Sequence, residues 1–109
     1  MLEYHKTTEA EKYIISDWQY EGEYALYNKV PYEEDKRTGR GFANAKSNFF
    51  SFVDGEKLVG FTNLVEEKKE VFVGIGANPA YCNQGYGQRM LRQTYDLSKS
   101  LYPDKLLYL

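Results

Sequence analysis

Apolar and polar positions along this chain group into runs whose periods mark one element after another. The strongest run is Val71 to Ala77, rich in β-branched and aromatic residues, which predicts a buried strand. Pro79 removes a backbone donor and ends its ladder. Beyond the turn Asn83-Gln84-Gly85-Tyr86-Gly87, the apolar positions Met90, Leu91, Tyr95, Leu97 and Leu101 follow a helical period. Arg89, Arg92, Gln93, Asp96 and Lys99 are left for solvent. Upstream, Asn48 to Val53 and Lys57 to Leu64 read as the arms of a hairpin around Asp54-Gly55. Glu66 to Lys69 is a second, polar turn leading into Val71. Sequential strands joined by such turns are expected to be antiparallel. The last strand, Lys105 to Leu109, follows a helix and is expected to lie parallel to Val71–Ala77.

The first third of the chain is less regular. Leu2 to Lys6 is a candidate first strand. Thr8 followed by Glu11 fits a capping box, and Tyr13, Ile14 and Trp18 are expected to form the buried side of the helix it opens. Residues 18–28 concentrate the aromatic side chains. Pro31 is suited to the first position of a short helix, with Glu33, Glu34 and Asp35 at its positive end. From Lys36 to about Ser47, glycines and charges break the period, and a mobile loop is expected.

This order of elements predicts an α/β (α+β) fold: a mixed, mostly antiparallel sheet flanked by helices, as a single domain over residues 1–109. A length of 109 residues suits one domain, and 42% hydrophobic with 28% charged residues suits a water-soluble one. A net charge of −2 gives no electrostatic case for nucleic acid. No apolar run is long enough to span a bilayer, and the charged, aromatic start does not read as a signal peptide, so a cytoplasmic location without membrane contact is expected. One cysteine rules out an internal disulfide, and with a single histidine beside it no zinc site is expected.

The chemistry concentrates where strand, glycine turn and helix meet. The first N–H groups of a helix have no intrahelical partners, and the peptide dipoles add partial positive charge there. A diphosphate suits that end on both counts. Gly85 and Gly87 have no Cβ, so an anion can approach the backbone. The same glycines also suit a tight turn with no ligand. The Walker A ending and the three-glycine dinucleotide fingerprint are both absent.

Ile75-Gly76-Ala77-Asn78-Pro79 followed by Cys82-Asn83-Gln84-Gly85-Tyr86-Gly87 resembles motif A of the GNAT superfamily, the acetyl-CoA-dependent N-acetyltransferases. Cys82 departs from that pattern, standing where the family has Arg or Gln. The segments DWQYEGEYALYN, FFSFVDGEKLVGFTNL and KLLYL resemble the family in the same order. The resemblance implies acetyl-CoA as cofactor, bound by Ile75, Gly76, Ala77, Cys82, Asn83, Gln84, Gly85, Tyr86, Gly87 and Gln88. The pantetheine arm is expected to pair with the backbone near Ile75 and Ala77. A bulge near 75–78, permitted by Gly74 and Gly76, is expected to splay the two parallel strands. Close packing beneath a helix is the other reading of those two glycines.

The implied reaction is direct attack of a primary amine, on a small molecule or a peptide, upon the thioester. Glu70 is the candidate base, and Tyr24 and Tyr27 are candidates for the acceptor side. A solvated turn carboxylate and ordinary aromatic packing are the plainer readings of these residues. Family members continue past the strand that ends here, through a tyrosine that protonates the leaving thiolate. The chain is therefore expected to be a C-terminally incomplete GNAT fold that forms a homodimer or larger assembly. A catalytically inactive CoA-binding or assembly module is the alternative, and a nucleotide-binding domain sharing only the glycine turn is a third.

Overall fold

A computed structural model describes residues 1–20, 31–81 and 84–108. Alternating apolar side chains build five strands, which lie in sequence order: β1 (Leu2–Lys6), β2 (Ser47–Asp54), β3 (Lys57–Glu66), β4 (Glu70–Ala77) and β5 (Leu106–Tyr108). The first four are antiparallel, and β5 runs parallel to β4. The expected hairpin is present, with Asp54 paired to Lys57 and Gly55 at φ 63° in its turn.

Strand alternation sends two sets of side chains to opposite faces. On one face Ile15, Tyr32, Phe42, Phe49 and Phe61 form a cluster beneath α1 (Glu9–Ser16) and α2 (Tyr32–Thr38). On the other, Phe52, Val59 and Met90, then Leu64, Val71, Val73 and Leu97, pack under α3 (Tyr86–Leu101). The core is two thin layers with the sheet between them.

The capping box forms as read: the Glu11 amide donates to Thr8 Oγ1 (3.2 Å), and the Thr8 amide donates to Glu11 Oε1 (2.9 Å). Glu11 also accepts from the buried Ser51 hydroxyl (3.0 Å) and meets His5 Nε2 (2.8 Å), tying helix to sheet. Partial burial opposes its ionisation, but the bonds from Thr8, His5 and Ser51 together outweigh it and hold the carboxyl below the ordinary glutamate range. A depressed folded pKa gives stability that is present above the unfolded value and lost as the pH falls through the folded one. Glu11→Gln is therefore expected to cost about 1–2 kcal/mol at neutral pH, and less under acid, in denaturant melts. An equal loss at both pH values would remove the electrostatic part of this account.

Four expectations need correction. In α1 the buried residues are Ile15 and Ser16, while Tyr13 and Ile14 stand 39% and 51% exposed. The helix ends at Ser16, so Trp18 packs from beyond it. Lys36 to Thr38 continue α2 rather than starting a loop; Gly39 (φ 71°) closes the helix, and Gly41–Ala43 add a 3-10 turn. In α3 the buried stripe is Tyr86, Met90, Thr94, Leu97 and Ser98, leaving Leu91, Tyr95 and Leu101 outside. Small hydroxyl residues let α3 come close to the sheet, and hydrophobicity counting passes over them. Finally, β4 pairs with β3 in unbroken register; the irregularity lies between Phe52 and Val53. The described pairing of β5 with β4 runs over Glu70–Phe72.

Candidate functional site

Beyond Phe72 no strand pairs with the outer edge of β4 among the described residues. The ladder shows which groups that edge presents. Thr62 Oγ1 donates to the Gly74 carbonyl (3.0 Å), and the Asn78 amide donates to the Val59 carbonyl (2.9 Å), so even-numbered residues here turn toward β3. By alternation, the N–H and C=O of Ile75 and Ala77 point to the open side. Gly76 faces the other way, and its missing Cβ makes room for the Phe61 ring.

Asn78 closes the strand. Its Nδ2 donates to the Leu58 carbonyl (2.8 Å), and its Oδ1 accepts from the Ala80 amide (2.9 Å), an Asx turn that starts the 3-10 turn Pro79–Tyr81. The chain then reaches Gln84 and Gly85. Gly85 is the N-cap of α3 at φ 79°, a left-handed conformation that disfavours side chains. Gly85 has no side chain with which to cap the helix, and no described residue supplies a capping bond. A Cβ added at Gly85 or Gly87 meets nothing within 4 Å. Among the described residues, the first amides of a 16-residue helix therefore have no side-chain cap, and they lie beside the edge of β4 that no described strand pairs beyond Phe72.

The helix start is held from behind. Tyr86 is buried against Leu2, Phe52, Val59 and Met90, and its hydroxyl donates to Asp54 Oδ2 (2.6 Å) on the β2–β3 turn. That bond holds the Asp54 carboxyl below its ordinary range and raises the Tyr86 hydroxyl. The hairpin thus positions the turn.

Of the residues singled out from sequence, the structure brings Ile75, Gly76 and Ala77 to the end of β4, with Gln84, Gly85, Tyr86, Gly87 and Gln88 next to it in the turn and first helical residues. Cys82, Asn83, Tyr24 and Tyr27 lie outside the described residues. Glu70 stands exposed at the opposite end of β4, seven residues or roughly 23 Å of strand from Ala77. The structure does not bring it to the glycine turn.

Two features escaped the sequence. Tyr20 donates its hydroxyl to the Ala77 carbonyl (2.7 Å), a contact across 57 positions that no local pattern reports. Beside the described end of β5, Val73, Leu91, Thr94, Tyr95, Leu107 and Tyr108 line a groove of about 470 Å³. The exposed Leu91 and Tyr95, out of place for a helix buried by periodicity, were its visible sign. Among the described residues no helix is long and apolar enough to cross a membrane, and no cluster of side chains is arranged to hold a metal ion.

The model of the acetyltransferase (GNAT) family matches residues 9–109. No match is found among curated proteins. Among solved structures, a chimera of the Vibrio cholerae spermidine N-acetyltransferase SpeG and hSSAT superposes with a TM-score of 0.69 at 16% identity, over 99% of this chain and 70% of that one. The ribosomal-protein-S18-alanine N-acetyltransferase of Escherichia coli gives 0.61 at 17% identity, over 92% of this chain and 61% of its own length. A transcriptional regulator of Bacillus halodurans C-125 gives 0.68 at 11% identity, over 100% of this chain and 82% of that one. At such identities these likenesses report the shared fold.

Proposed function

The chain belongs to the acetyltransferase (GNAT) family, and from that premise we propose that it transfers the acyl group of a coenzyme A thioester, acetyl-CoA in the first instance, to a primary amine. The observation that supports this reading is the placement of the first amides of α3, which no described side chain caps, next to the edge of β4 that no described strand pairs beyond Phe72. The amides of Tyr86, Gly87 and Gln88, with Cys82, Asn83, Gln84 and Gly85 preceding them in the chain, would take the diphosphate. Ile75, and Ala77 through its N–H, would pair with the amides of the pantetheine arm, with Gly76 between them and the Ala77 carbonyl held by the Tyr20 hydroxyl. When bound, the thioester supplies an activated acyl carbon. The carbon–nitrogen bond forms, the carbon–sulfur bond breaks, the ammonium proton leaves to a base, and the thiolate takes a proton from solvent.

Glu70 is the proposed base. It shares the sheet face of Phe72 and Gly74 by alternation, and from its distance it acts through ordered water. Glu70→Gln is expected to lower kcat at least tenfold with the KM for the thioester unchanged; an unchanged kcat would strike Glu70 from the site. Tyr24 and Tyr27 are proposed for the acceptor side, a few positions after Tyr20, which reaches the end of β4. The acceptor class is a small-molecule or peptide amine, in a cytoplasmic setting. Self-association through the outer edge of β5, which no described strand pairs, is proposed as well, since an unpaired strand edge is a template for another copy.

The experiment is a thermal shift with coenzyme A against ATP, followed by thiol release across a panel of amines. Stabilisation by coenzyme A alone, with amine-dependent thiol release, is expected. Stabilisation without release leaves a binding module; preference for ATP overturns the reading.

A further inference from the structure

Gly74 stands inside β4 with none of the structural reasons that usually keep a glycine in a strand. Its φ is not positive, and β4 pairs with β3 in unbroken register through it, with Gly74 opposite Asn63. Nor does it make room for a packed neighbour. A Cβ at that position would meet the Phe72 ring at 3.5 Å and the Asn63 Cβ at 3.9 Å, ordinary contact distances, whereas at Gly76 the Phe61 ring already fills the place. Glycine weakens a strand interior, so folding alone favours another residue at position 74. The recess left there has firm sides. Phe72 forms one, and Asn63, whose Oδ1 accepts from the Asn48 amide (3.2 Å), forms the other.

The reading proposed above, on which this inference rests, lays the donor along Ala77 and Ile75, so that its thioester comes beside Gly74. An amine must reach the thioester carbon over one face of the sheet or the other. The face of Val71, Val73 and Ile75 is packed under α3. On the opposite face Phe72 carries its own ring and Phe61 covers Gly76, so among the described residues Gly74 leaves the one gap along this stretch of β4. We propose that Gly74 is the point of entry for the acceptor, and that the slot between Phe72 and Asn63 selects an unbranched primary amine, with its nitrogen carried on a CH2 group. A single carbon at the floor of the slot already touches both walls. A substituent on the carbon that bears the nitrogen therefore has no place beside it.

Steady-state acyl transfer from acetyl-CoA to 1-aminobutane and to 2-aminobutane, isomers that differ only in branching beside the nitrogen, tests this together with the variant Gly74→Ala. The linear amine is expected to show a kcat/KM at least about tenfold above that of its isomer, the discrimination one methyl group gives in a close-fitting site. Gly74→Ala is expected to lower kcat/KM for the linear amine at least about tenfold, because the new methyl group takes the floor of the slot. The Kd of coenzyme A should stay as in the parent, and the melting temperature should be unchanged or higher. Equal kcat/KM for the two isomers overturns the selection, and a Gly74→Ala protein as active as the parent overturns the point of entry. A lower melting temperature makes Gly74 a packing residue, and a parallel loss of coenzyme A affinity moves its role to the donor; either result overturns the inference. A parent protein that binds coenzyme A and acylates no amine, or that does not bind it, removes the underlying functional reading as well.

Discussion

Replacing Gly87 with glutamate is expected to leave the protein folded, with an unchanged or slightly higher melting temperature, and to weaken coenzyme A binding about a hundredfold. The two halves of this outcome have separate causes. Gly87 is the second residue of α3, its φ is not positive, and a Cβ there meets nothing within 4 Å. Any other residue at an exposed helical position recovers roughly 0.5–1 kcal/mol relative to glycine. An acidic side chain in the first turn also complements the helix dipole. Stability therefore gives glycine no advantage here. Ligand binding does, since a carboxylate beside the free amides competes for them and repels a diphosphate. At a separation near 4 Å and an effective dielectric of 20, each like-charge pair costs about 4 kcal/mol before screening. Even a partial share of that, about 3 kcal/mol, is a hundredfold in Kd. Gly85 makes a poorer test, because its φ of 79° strains any substitute by about 1–2 kcal/mol and mixes folding with binding. Calorimetry with coenzyme A beside a melting curve reads both quantities. If Gly87→Glu binds the coenzyme as the parent does, the amides of α3 are not its diphosphate site.

The glycine turn was legible because everything that makes it is local. A strand-forming run, a proline, two glycines and a helical period occupy adjacent positions, and each acts within its own turn. The capping box and the hairpin were legible for the same reason. Burial was read less well. Ile15 rather than Ile14 enters the core because short α1 is set on the sheet by Glu11, whose carboxylate is fixed to Ser51 and Thr8. Thr94 and Ser98 are buried because α3 crosses the sheet where Met90 sits over Gly60. That close approach favours small residues, including polar ones. The hydroxyls of both find no partner among the described residues, a feature that hydropathy cannot foresee. Tyr20 and the groove at Val73 depend on contacts between distant segments, so only the assembled sheet reveals them.

The glycines of β4 carried two readings, ligand access and close packing, and a double-mutant cycle decides for Gly76. A Cβ added at that position would overlap the Phe61 ring. The ring cannot swing aside freely: Phe61 is 8% exposed and packs with Trp18, Phe42 and Phe49. Gly76→Ala alone is therefore expected to destabilise by about 2–3 kcal/mol, the range of overpacking in a tight core. Phe61→Ala alone should cost about 3–5 kcal/mol through lost burial and the cavity left behind. In the double variant the overlap has no second partner, and the new methyl group partly fills the space the ring vacated. The combined loss should then fall short of the sum by at least about 1 kcal/mol, well beyond the deviation of independent sites. Additive losses would show that the ring does not hold this space. Binding separates the alternatives from the other side. Gly76 turns its backbone toward β3, and the open edge is made by Ile75 and Ala77. A folded Gly76→Ala, Phe61→Leu variant should thus retain coenzyme A affinity within a few-fold, because the peptide groups that face the donor are not the ones that the substitution crowds.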